Sequence, residues 1–225
     1  MPRDTLTKDQ IVRAAVELLD AEGLDGLNMR SLGTRLGSAA TAVYWHVTSK
    51  DNLVRLAGDV VWDEVELPDL DTLDWRTAAV AMATGLHAMM IRHPWLVQAM
   101  ASHLLYGAGK ARYDEHVLAV YEMAGFVDDD ADQAAAAVFM FVLGNAVGPA
   151  ATVSLTRRLG RDGGDVEALL RDAVKQATDI AMPFPRLRAR LGKAAADDYN
   201  AAPDNTFELG LESLLDGLAR RLQST

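Results

Sequence analysis

Cysteine is absent from the 225 residues, which excludes disulfides, thiolate metal sites and cysteine nucleophiles. The first residues, MPRDTLTKDQ, are polar and hold no apolar run before a small-residue cleavage site. A secretory signal is therefore not expected, and a cytoplasmic protein is. No nucleophile elbow, zinc-helix motif or Lys-Ser/Thr phosphate loop occurs, so the pattern implies no enzyme. Asp114-Glu115-His116 reads as a polar helix face, and Gly160-Arg161-Asp162-Gly163-Gly164-Asp165 as a connection. Asp128, Asp130 and Asp132 begin like a calcium loop, but Gln133 and Phe139 stand at the required glycine and glutamate positions. No metal or other cofactor is expected. Half of the chain is apolar and 24% is charged, the balance of an ordinary folded soluble protein.

An excess of positive charge is also missing: the net charge is −10. Its distribution is uneven. Residues 1 to 50 carry six Lys/Arg against six acids, while residues 51 to 225 carry 16 against 26. A neutral front can approach a polyanion while the acidic bulk points away.

That front reads as four short helices. Thr7 and Gln10 have capping-box spacing, and Ile11, Ala14, Ala15, Leu18 and Leu19 recur with helical period up to a stop at Gly23. Asn28 caps a second helix with Met29, Leu32 and Leu36 inward and a stop at Gly37. Ser38 is expected to cap a third, burying Val43 and Val47, and Ser49 a fourth, with Leu53, Leu56, Ala57, Val60 and Val61 at helical spacing. Two helices joined across one glycine match a helix-turn-helix, whose second helix lies in a DNA major groove. Gly37 permits the tight turn and Gly33 the close crossing. With Val43 and Val47 buried, Ala39, Ala40, Thr41 and Tyr44 point outward, short side chains first. Such a helix end can sit deep in the groove, where Thr41 or alanine methyls meet a thymine methyl. Tyr44, His46 and Lys50 can serve phosphates, and Arg30 a guanine edge or the backbone.

The stretch Leu36-Gly37-Ser38-Ala39-Ala40-Thr41-Ala42-Val43-Tyr44-Trp45-His46-Val47-Thr48-Ser49-Lys50, followed by Leu53, resembles the recognition helix and exit of the TetR family, tetracycline-repressor branch. Phe207-Glu208-Leu209-Gly210-Leu211-Glu212 with Gly217-Leu218 is similar to the last dimerisation helix of that branch. The resemblance covers residues 7 to 66 and 204 to 222; between them only helical character matches. It implies an all-α fold, with a three-helix DNA-binding domain at 1 to 48 and a helical regulatory and dimerisation domain at 49 to 225, of which 49 to 66 form a connecting helix. It also implies base-reading positions at Arg30, Ala40 and Thr41, and backbone-contacting or supporting ones at Tyr44, Trp45, His46 and Lys50. For Trp45 an ordinary core role stands as an equal alternative.

The middle is helical throughout. Trp75 to Ile91 is apolar on nearly all sides, Pro94 opens a short helix, and 110 to 124 form another, ended by Gly125. No charge falls between Asp132 and Arg157, a span long enough to cross a bilayer. Asn145, Pro149, Thr152 and Ser154 interrupt it, so the centre of a bundle or a subunit interface is the expectation, and no membrane partner. Asn145 needs a partner for its amide, either ligand or mate subunit. The mate is expected against Phe141, Gly144 and Gly148 of this span and Phe207, Gly210, Leu211, Leu214, Gly217 and Leu218 of the last helix. Residues 183 to 203, with Pro183, Pro185 and Pro203, read as a mobile loop.

By the same resemblance, Met82, Leu86 and Met100 stand where the tetracycline repressor holds its drug and metal, so a metal–tetracycline effector is not expected. An apolar pocket is, lined by Met82, Leu86, Met89, Met90, Trp95, Met100, Phe139 and Met140, with His87, His103 or Asn145 as orienting polar groups. The reading is thus a homodimeric repressor of a palindromic operator in double-stranded DNA, released by a small apolar effector. A helical carrier that ignores DNA, and an enzyme using His87 or His103, are the alternatives.

Overall fold

The computed structural model describes residues 6–161, 165–190 and 205–223, and every regular element among them is helical. Helix α1 (Lys8–Gly26) begins with the expected reciprocal cap. Thr7 Oγ1 accepts from the Gln10 amide at 3.2 Å, and Gln10 Oε1 accepts from the Thr7 amide at 2.9 Å. Gly23 breaks the helical dihedrals at φ 72° and ψ −176°, but the chain winds one further turn to Gly26. Gly23 is therefore a kink, not the terminus that the sequence suggested.

Helices α2 (Met29–Arg35), α3 (Ala40–Val47) and α4 (Lys50–Val61) follow. Asn28 and Ser49 cap α2 and α4, with Asn28 Oδ1 accepting from Ser31 at 2.8 Å and Ser49 Oγ from Asn52 at 3.0 Å. The cap of α3 differs from expectation. The Ser38 amide is drawn to the Gly33 carbonyl at 2.8 Å, Gly37 takes φ +60°, and Ala39 sits at the cap with no side-chain bond. The crossing of α2 and α3 leaves no room for a side chain at Gly33, where a Cβ would lie 2.8 Å from the Ser38 carbonyl oxygen. Ile11, Leu19, Leu32, Val43, Val47 and Leu53 are wholly buried together, each contributing about 1.5–3 kcal/mol of apolar burial. The connecting helix is shorter than expected from 49 to 66. It ends at Val61 and tightens into a 3-10 turn, Trp62–Glu64.

The remainder comprises α5 (Trp75–Arg92), α6 (Pro94–Met100), α7 (Ala108–Ala124), α8 (Asp129–Arg161), α9 (Val166–Ala181), α10 (Pro185–Arg188) and α11 (Thr206–Leu222). Asp74 caps α5, accepting from the Arg76 and Thr77 amides and the Thr77 hydroxyl. Those bonds, the Thr77 hydroxyl's foremost, hold its carboxyl below the usual range. Helix α8 is longer than the charge-free span, because acids at its first turn and arginines at its last suit the helix dipole. It packs against α5, α6, α7 and α11. Helix α9 falls in the stretch expected to be helical, where no separate element is delimited by the pattern. The expected loop over 183 to 203 carries α10 at its start; residues 191–204 lie outside the described residues.

The N-terminal helices are tied to the others through the end of α1. Its last carbonyls have no intrahelical partner, and the C-terminal end of α8 supplies donors. The Arg157 guanidinium donates to the Asp20 carbonyl, and that of Arg161 to the Glu22 carbonyl at 2.5 Å.

Candidate nucleic-acid interface and ligand cavity

Helix α3 has one buried stripe, Val43 and Val47, and is otherwise turned to solvent. Thr41, Tyr44, Trp45 and His46 are exposed on it, Ala40 is half-buried, and Ala39 is exposed at its cap. Trp45 is 89% exposed and Tyr44 49%, so the packed role considered for Trp45 is not what this chain adopts. Arg30 is exposed on α2. Lys50, in the first turn of α4, donates to the Leu24 carbonyl at 2.8 Å, which fixes its ammonium beside the turn between α1 and α2.

A second site lies among α5, α7 and α8: a cavity of about 420 Å³ lined by Met82, Tyr106, Lys110, Tyr113, Asp114 and Phe139, with further residues of the same helices around them. Apart from Lys110, Asp114 and Asp132 at its rim, the lining carries no charge. Burial pushes the phenols of Tyr113 and Tyr121 well above their ordinary range, so both keep their protons and can donate.

Of the residues expected around a ligand, Met82 and Phe139 line this cavity, as does Met140. Leu86, Met90 and Trp95 do not; all three are fully buried core residues, and the Trp95 indole donates to Asp20 Oδ1 at 2.7 Å. Met100 packs on the same core. His87 stacks on Phe207 with ring centroids 4.2 Å apart, and burial, partly offset by Glu208, lowers its pKa. His103 stands 3.5 Å from Asp51 of α4 and 2.9 Å from the Ser102 hydroxyl. The Asn145 amide donates to the Phe141 carbonyl one turn back, at 2.8 Å. Within the protomer its partner is therefore its own helix.

The polar lining, Tyr106, Lys110, Tyr113 and Asp114, was missed. Lys110 and Asp114 at i and i+4 were the available signal, but helix surfaces carry many such pairs. His93 was missed as well. It is 3% exposed, with Nδ1 2.7 Å from Asp20 Oδ1 and Nε2 3.1 Å from Glu64 Oε1.

Two expected interface glycines, Gly144 of α8 and Gly217 of α11, face open space among the described residues. Gly148 and Leu214 are partly buried, and Leu218 packs on the core edge. Gly210 is different. A Cβ there would lie 2.5 Å from the Phe141 ring, and Phe141 in turn stacks on Phe207 at 5.6 Å. The close approach expected between subunits at Gly210 occurs inside one chain, as does the burial of Leu211.

The chain matches known regulators in both sequence and fold. Residues 11–57 match the family of bacterial regulatory proteins named for TetR, and residues 67–222 match the tetracycline-repressor-like C-terminal domain. The chain belongs to the TetR family. It is 33% identical to the HTH-type transcriptional repressor DrrR1 of Streptomyces coeruleorubidus, over 96% of this chain and 78% of that protein. A 41% identical match to an HTH-type transcriptional regulator of Saccharopolyspora erythraea spans 62% of this chain and 59% of that relative. The crystal structure of the Streptomyces coelicolor TetR-family protein ActR with actinorhodin superimposes with a TM-score of 0.72 at 28% identity, covering 96% of each chain. As a TetR-family member the protein is a DNA-binding transcriptional regulator with a helix-turn-helix. Helices α2 and α3 are that motif.

Proposed function

We propose that this TetR-family protein is a homodimeric repressor that grips a palindromic operator through α3 and lets go when a small, largely apolar effector enters the α5–α7–α8 cavity. The observation that carries it is the division of α3, with Val43 and Val47 at zero exposure and Trp45 at 89% on the opposite side. In this reading Ala39, Ala40, Thr41 and Arg30 meet base edges, while Tyr44, Trp45, His46 and Lys50 hold the phosphates. Residues 1 to 48 are the DNA-reading domain, and 49 to 225 the regulatory one, with α4 as the lever between them.

The dimer is supported by α8. Its long charge-free span is only partly buried within the chain, and Val147 and Leu209 stay exposed, as do the open glycines 144 and 217. A second copy covering that face would set two α3 helices on successive major grooves, about 34 Å apart. The effector is supported by the cavity itself and by the structural likeness to ActR, solved with actinorhodin bound. A ligand preferring the separation that misfits DNA shifts the population to the released state. A regulator of this kind works in the cytoplasm.

The test is binding of duplexes from the protein's own promoter region, followed with rising salt. Affinity for a palindromic duplex should fall steeply, as expected when several phosphates are neutralised. No binding at low salt would refute the reading.

A further inference from the structure

Lys110 is the one cation in the cavity lining. Its ammonium lies over three rings, 5.0 Å from the Trp62 centroid, 5.1 Å from Phe139 and 5.9 Å from Tyr113, and pairs with Asp114 one turn along its own helix. The three rings and the one counter-ion leave donors free, since an ammonium has three N–H groups. The pair lies within one helix, and the Asp114 carboxylate, 34% exposed, can be handed back to water. An incoming acid can therefore take its place on Lys110. A basic ligand would set a second positive charge against the ammonium in a poorly screened site. Asp132, exposed in the first turn of α8, is already favoured there by the helix dipole.

The same residue begins a direct line to the lever. Helix α7 has no cap of its own: its N-cap is Gly107. Asp59 of α4 performs that office from another helix, its Oδ1 accepting from the Gly109 amide at 2.9 Å and the Lys110 amide at 3.2 Å. Side chains at Gly107 or Gly109 would collide with Asp59, so the glycines let α7 rest directly on α4. Trp62, just past α4, lies under the Lys110 ammonium, and Asp63 pairs with Arg112. A shift of the first turn of α7 cannot leave α4 where it was.

We propose that the effector is a flat aromatic compound bearing an acidic group, that Lys110 recognises the acid by exchanging it for Asp114, and that Asp59 passes the movement of α7 to α4. The aromatic part meets Phe139, Tyr113 and Tyr106, and the neutral phenols of Tyr113 and Tyr121 supply donors for ring oxygens. This rests on the reading of the cavity as the effector site.

The test uses two fluorescent probes of one skeleton, anilinonaphthalene sulfonate and phenylnaphthylamine, titrated into the full chain. Lys110→Met should weaken the sulfonate about tenfold or more, roughly 1.4 kcal/mol, and leave the neutral probe within about twofold. Asp114→Asn should tighten the sulfonate. Equal effects on both probes, or a sulfonate that binds better to Lys110→Met, would overturn the acid assignment. In the relay arm, saturating sulfonate should change hydrogen exchange in α4 of the wild type, and Asp59→Ala, which removes the acceptor of the α7 amides, should bind the sulfonate within about twofold while losing that change. Unchanged α4 exchange in the wild type, or an Asp59→Ala protein that still responds, would overturn the relay. Ala83→Trp fills the cavity and should abolish both probes; probes that still bind refute the cavity as effector site, a failure separate from the other two.

Discussion

His93 Nδ1 stands 2.7 Å from Asp20 Oδ1, and through that contact the junction of α5 and α6 is fastened to α1, the first helix of the DNA-reading unit. The other ring nitrogen reaches Glu64 at the end of the lever, and the Trp95 indole shares the same Asp20 oxygen. Helix α1, the 3-10 turn after α4 and the α5–α6 junction thus meet at one imidazole.

The stability of that joint depends on pH. Burial alone would push the imidazolium down, but the bonds to and charges of Asp20 and Glu64 outweigh it, and the His93 pKa is raised above 6.5. A group whose folded pKa is raised contributes fully below its unfolded value and loses the contribution as pH rises through the folded one. Urea unfolding should therefore show stability falling from pH 6 upward through the raised value, and His93→Asn should remove about 2 kcal/mol at pH 6 and flatten that slope. A variant with the wild-type slope would show that another group titrates.

The recognition helix separates stability from binding. Trp45→Ala should change thermal stability by less than about 0.5 kcal/mol, as for a surface residue, while weakening DNA. Tyr44→Ala should weaken all duplexes alike, whereas Thr41→Val should change preference among them. Competition titrations with point-changed operators distinguish the two, and identical behaviour would contradict the sorting.

Two glycines of α11 should respond oppositely. Gly217→Leu meets open space within the protomer, so the chain should fold and run as a monomer in sedimentation. Gly210→Leu drives a side chain into the Phe141 ring and should cost about 1–3 kcal/mol of folding stability by overpacking. A stable Gly217→Leu dimer would place the subunit interface elsewhere.

Gly33→Ala tests the helix crossing. Its Cβ would press on backbone at Ser38 and Ala40, which cannot swing aside, so the melting temperature should drop by several degrees, about 1–3 kcal/mol. Ser31→Ala on the same helix, half-buried, is the comparison and should change it far less.

Local grammar settled much of this protein in advance. Thr7, Asn28 and Ser49 cap their helices because a side-chain oxygen near a free amide needs only neighbours in sequence, and the burial of Val43 and Val47 follows from helical period. The motif at 36 to 50 carries the family with it. What the order of residues left open was which distant side chains meet. His93 joins Asp20 across 73 positions, Asp59 caps a helix 50 residues away, and Gly210 opens to Phe141 rather than to a mate. Trp95 and Leu86, greasy enough for a pocket, became core instead. Such pairings are made by helix packing, where charge and shape are matched between surfaces that no local pattern relates, and only the folded chain decides them.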